Sequence, residues 1–128
     1  MVTSVTQGIK ITVRSTYQES YSRPDEDHFL FTYRITIENT SEYTVQLMRR
    51  HWFIYDSSSE HREVEGEGVV GQQPILMPGD VYEYESACNL TTDMGQMHGT
   101  YLMERQIDKL RFFVNIPEFE MVVPARLN

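Results

Sequence analysis

The chain has 128 residues, 40% hydrophobic and 23% charged, which is the length of one domain and the composition of a chain that folds around its own core. Nineteen Asp and Glu against eleven Lys and Arg leave a net charge of −8, a field that repels phosphate backbones and anionic lipid, so neither nucleic acid nor a membrane surface is an expected partner. A single cysteine, Cys88, rules out an internal disulfide and any paired-cysteine zinc site.

The opening stretch, residues 1–15, has neither the basic start nor the apolar run of a signal sequence. No later segment approaches the ~18 apolar residues of a membrane helix, and the chain reads as cytoplasmic. From there the apolar spacing is two. Ile9, Ile11 and Val13 alternate with Lys10, Thr12 and Arg14, and Phe29, Phe31, Tyr33, Ile35 and Ile37 alternate with more polar neighbours, so 9–13 and 29–37 are half-buried strands. Further strands are expected at 45–55, 62–65, 81–88, 98–104, 110–116 and 119–123, because these runs are rich in Val, Ile, Tyr, Phe and Thr. Turn formers separate them at 39–42, 56–59, 78–79 and 93–95. Only 105–109 allows a turn of helix. Short strands at this spacing imply two antiparallel sheets face to face, an all-β immunoglobulin/fibronectin type III-like sandwich of one domain over 1–128, with a closed barrel as the alternative. The immunoglobulin Cys…Trp…Cys pattern is absent, which favours the fibronectin form. The aromatic stripe Phe29, Phe31, Tyr33 and the tyrosines Tyr82, Tyr84 and Tyr101 also stand at period two, as core or cross-strand partners do.

One long stretch, 66–78, lacks strand periodicity and reads as a loop. It opens with Gly66, Gly68, Val69, Val70, Gly71 and Gln72, a G-x-G-x-x-G pattern that in nucleotide folds lets backbone N–H groups close on a phosphate. Here no helix can follow through Gln72, Gln73 and Pro74, and Glu60, Glu63, Glu65 and Glu67 lead into it, so a tight glycine-dependent turn shaping a binding surface is the expectation. Upstream stand Arg49, Arg50, His51 and Trp52. Alternation sends Arg49 and His51 to one face and Arg50 and Trp52 to the other, with Trp52 a core anchor and the two arginines candidate supports for an anion at the loop. His28, His51, His61 and His98 show no metal-ligand spacing along the chain, so neither a metal nor another cofactor is expected. No G-x-S-x-G is present, Cys88 on an alternating strand reads as a small hydrophobe, and no catalytic set can be assembled.

The run from Gln46 through Arg50, His51, Trp52, Phe53 and Ile54, then Val64 to Pro74 and Leu76-Met77-Pro78-Gly79, resembles the bacterial ApaG (ApaG/CorD-like) family. The likeness continues through Tyr84-Glu85-Ser86, Gly95 to Tyr101 and the ending Pro124-Ala125-Arg126-Leu127-Asn128. That resemblance implies a fibronectin type III-like sandwich without established enzymatic activity, associated with cobalt and magnesium resistance and fused in eukaryotes to F-box and other adaptor proteins. It favours protein–protein interaction. Two functions follow as expectations. The first is a non-catalytic module that binds a protein partner or small ligand through Gly66, Gly68, Val69, Val70, Gly71 and Gln72, with Arg49, Arg50 and His51 in support. A second copy of the chain is one candidate partner. The alternative is a phosphate- or nucleotide-binding protein, or a phosphate-processing enzyme, using the same glycine loop.

Overall fold

A computed structural model describes residues 1–58 and 60–127; Ser59, the last residue of the expected 56–59 turn, and Asn128 lie outside the described residues. Among the described residues nine strands follow in chain order: β1 (Val2–Thr6), β2 (Ile9–Tyr17), β3 (Phe29–Asn39), β4 (Val45–Asp56), β5 (His61–Glu67), β6 (Ile75–Leu76), β7 (Val81–Leu90), β8 (Met94–Arg105) and β9 (Arg111–Val122). They form two antiparallel sheets, β1-β2-β3-β7 and β5-β4-β8-β9, with β6 paired to the start of β4. The expected fibronectin type III-like sandwich is the observed fold. No helix among the described residues is long and apolar enough to cross a membrane.

The two inner faces follow the alternation read from the sequence. Ile9, Ile11, Val13, Phe31, Tyr33, Ile35 and Ile37 from one sheet meet Val45, Leu47, Trp52, Met97, Tyr101, Val114 and Phe119 from the other, all buried. Trp52 sits at the centre, 2% exposed, with edge-on contacts to Tyr33 at 5.3 Å and Phe119 at 6.0 Å between ring centroids. Such offset packing is what aromatic quadrupoles favour. Among the tyrosines expected inside, Tyr84 and Tyr101 are buried and Tyr82 half-buried.

Several elements depart from the sequence reading for identifiable reasons. β1 has polar inward positions: the Ser4 hydroxyl donates to the Asn115 carbonyl at 2.9 Å, and the Asn115 N–H donates to Thr6 Oγ1 at 3.2 Å. Hydrogen bonds to the backbone of β9 replace the apolar signal there. The expected break between 110–116 and 119–123 does not occur, because β9 is an edge strand and a register shift opposite Met97/Gly99 absorbs Pro117. The permitted helix at 105–109 is a single turn closed by Lys109 N–H to Arg105 O at 2.8 Å. Nor is 66–78 one irregular loop: Gly66 and Glu67 finish β5, a tight turn follows, and Ile75 and Leu76 form β6.

Candidate functional site

β4 carries the arginine–histidine–tryptophan run, and a bulge between Leu47 and Arg49 decides where those side chains point. Before it, Val45 and Leu47 face the core; after it, Trp52, Ile54 and Asp56 do. The extra residue, Met48, switches the parity. Arg50 therefore follows Trp52 inward at the end of the sandwich, while Arg49, His51, Phe53 and Tyr55 line the outer face. This is the division of faces that the alternation predicts for 49–52.

The structure brings Arg50 to the glycine segment. Its Nη1 donates to the carbonyls of Glu67 at 3.0 Å and Gly68 at 3.1 Å, and the guanidinium fills the space beside Gly66, where a Cβ would stand 2.7 Å from Nη1. Arg49 is different: it lies opposite Glu67 in the strand register, on the outer face. The turn itself is closed by its own backbone. Val69 N–H donates to Gln72 O at 2.8 Å, Gln72 N–H returns to Val69 O at 2.9 Å, and Gly68 N–H reaches Met48 O at 2.9 Å. Three N–H groups that a phosphate would need are thus held by carbonyls, and the arginine faces carbonyls as well. Val69 is fully buried and pins the turn to the core, whereas Val70 is 64% exposed at φ +46°. A β-branched residue in the left-handed region is a strained conformation.

On the outer face, His51 stands directly opposite Glu65 on β5, and Glu63 sits one step along beside Phe53. His51 Nδ1 lies 3.1 Å from Glu65 Oε1 and Nε2 lies 3.2 Å from Glu63 Oε2. Both are ion-pair distances, and the buried Nε2 atom has no hydrogen-bond partner. The imidazole is stacked on Phe53 at 4.4 Å, and Phe53 is stacked in turn on His98 at 5.1 Å. Tyr55 and His61 extend the row, their rings 4.4 Å apart.

The groups with shifted acidity are mostly structural. Burial pushes the Tyr33, Tyr84 and Tyr101 hydroxyls up, Arg50 pulling the other way, and Tyr84 and Tyr101 hydrogen-bond each other. Burial also raises the Cys88 thiol against the pull of Arg62, whose Nη2 is 3.3 Å from Sγ, so Cys88 sits as a protonated small hydrophobe. Burial would raise the Asp56 carboxyl, but hydrogen bonds from Thr92 and Thr91 outweigh it and hold the group below its ordinary value.

A family model described as the ApaG domain matches residues 19–105, from the segment before β3 to the end of β8. The chain belongs to the ApaG family. It is 48% identical over 128 residues to Protein ApaG of Anaeromyxobacter dehalogenans, covering 100% of both chains, and 47% identical over 126 residues to Protein ApaG of Brucella canis, covering 98% of this chain and 96% of that one. A crystal structure described as an ApaA protein from Bordetella pertussis superposes with a TM-score of 0.88 at 39% identity, over 91% of this chain and 94% of that one. The segment matched by the ApaG model contains the bulge, the glycine turn and the His51 cluster.

Sequence reasoning missed that cluster because it looked for ligand spacing along one strand. His51, Glu63 and Glu65 meet across two strands, through the register of the β4–β5 hairpin. The available signal was Glu63 and Glu65 at i, i+2, one short turn after a histidine-bearing strand.

Proposed function

We propose that this ApaG-family chain is a non-catalytic binding module of the cytoplasm, and that the segment from Gly66 to Gln72 is its recognition element. The observation that carries the reading is Val70: a strained, exposed, β-branched side chain at the tip of a turn whose neighbours are fixed by Val69 in the core and by Arg50 beneath. Strain of this kind persists where the surroundings over-determine it, and it is enriched at binding sites. Ile75 and Met77, 56% and 60% exposed just downstream, add apolar surface, which suits a protein partner more than an anion.

The test is affinity capture with the full chain against two variants, Val70→Ser and Gly68→Ala, with folding checked by circular dichroism. A partner retained by the wild type and lost with Val70→Ser supports the reading. Amide shifts that saturate at micromolar pyrophosphate, centred on 66–72 and abolished by replacing Arg49 and Arg50, replace it with the phosphate alternative.

A further inference from the structure

His51, Glu63 and Glu65 each offer one ligand atom, and those atoms all lie within 4.8 Å of one another. We propose that these three side chains form a binding site for a divalent first-row transition ion, with zinc and cobalt(II) preferred over magnesium. The inference is independent of the binding-module reading and survives its failure.

The donor set argues for the class of ion. One imidazole nitrogen with two carboxylate oxygens suits borderline metals such as zinc, whereas magnesium requires six hard oxygen ligands in near-ideal octahedral geometry. Three protein donors leave the remaining coordination positions to water. Charge also fits, since two carboxylates and a neutral imidazole carry −2, which one divalent ion cancels. The imidazole itself supplies the second argument. A neutral ring has one N–H and one lone pair, yet both nitrogens face carboxylates, at 3.1 Å and 3.2 Å. At Nε2, Glu63 Oε2 stands 3.2 Å away without making a hydrogen bond, so this buried nitrogen is left unpartnered. A cation held between that nitrogen and the carboxylates supplies the missing partner.

The site is also preorganised on one side and adaptable on the other. His51 is 31% exposed and fixed by stacking on Phe53, which is itself held against His98. Glu63 and Glu65 are 60% and 55% exposed on the edge strand β5, free to close the present separations toward the ~2.0–2.2 Å metal–ligand distances of a zinc site. His61 stands on the same face outside the cluster and serves as an internal control.

The experiment titrates zinc chloride into the tag-free full chain by calorimetry, and cobalt chloride with paramagnetic broadening of assigned amide signals. One zinc per chain with micromolar affinity is expected, and cobalt broadening centred on 51, 63 and 65. The double variant Glu63→Gln with Glu65→Gln, at exposed positions that leave the core intact, should weaken zinc binding ~10-fold or more, as should His51→Gln. His61→Gln should bind as the wild type does, and millimolar magnesium should not compete. Broadening centred elsewhere, unchanged affinity in the glutamine double variant, magnesium competing as an equal, or no binding by millimolar zinc would each overturn the proposal and leave the cluster an ion pair only.

Discussion

Alanine placed at each of the three glycines of the G-x-G-x-x-G pattern should cost very different amounts, although the pattern treats them alike. At Gly68, φ is +63° and a Cβ would stand 2.2 Å from Gln72 O, the oxygen that accepts the Val69 N–H. Alanine there carries the left-handed penalty of about 1–2 kcal/mol. It also forces open the Val69–Gln72 pair and the Gly68 to Met48 bond, at about 1 kcal/mol for each hydrogen bond lost. The total is about 4–5 kcal/mol. At Gly71, φ is +77° but nothing lies within 4 Å, so only the conformational term remains, about 1–2 kcal/mol. Gly66 has ordinary backbone, and its added Cβ displaces the Arg50 guanidinium from two carbonyls, a charged hydrogen-bonded contact of about 1.5–3 kcal/mol. Urea unfolding followed by the fluorescence of Trp52, the single tryptophan, measures all three. Equal losses at Gly68 and Gly71, or a Gly68→Ala protein as stable as the wild type, would refute the claim that close approach to Gln72 sets the requirement.

Trp52→Ala should destabilise the fold by about 3–5 kcal/mol, and the native tryptophan should emit at short wavelength and resist iodide quenching; a red-shifted, readily quenched signal would place the ring at the surface. Asp56 has a depressed carboxyl pKa in the fold, so its contribution is complete above the unfolded value near 3.8 and is lost as pH falls through the lower folded value. Acid unfolding curves of Asp56→Asn should therefore fall less steeply below that pH than the wild type, and parallel curves would remove Asp56 as the cause. The raised hydroxyls of Tyr33, Tyr84 and Tyr101 work at the other end: their stability contribution is full below the ordinary phenol value of 10.0 and declines as pH rises above it. Absorbance titration should show these three ionising only together with unfolding, and three early, reversible ionisations in the folded state would contradict their burial.

The strand period, the buried face of each sheet and the central place of Trp52 were legible in the sequence because alternation is a local property: each side chain's face follows from its neighbour's. The missed β1 shows the limit of that signal, since Ser4 and Thr6 face inward through hydrogen bonds to β9 and carry no apolar mark. Pro117 shows it again, as a break in pattern that an edge strand with a register shift absorbs. What only the tertiary structure decided is everything that depends on register. The Met48 bulge reverses which parity faces the core and so delivers Arg50 to the glycine turn, where carbonyls occupy it. The β4–β5 hairpin sets His51 against Glu65 and Glu63, residues separated in sequence by a turn and brought together by the register. Register is fixed by hydrogen bonds between strands and by packing across the sandwich, and a shift of one residue would send the same side chains to the opposite face.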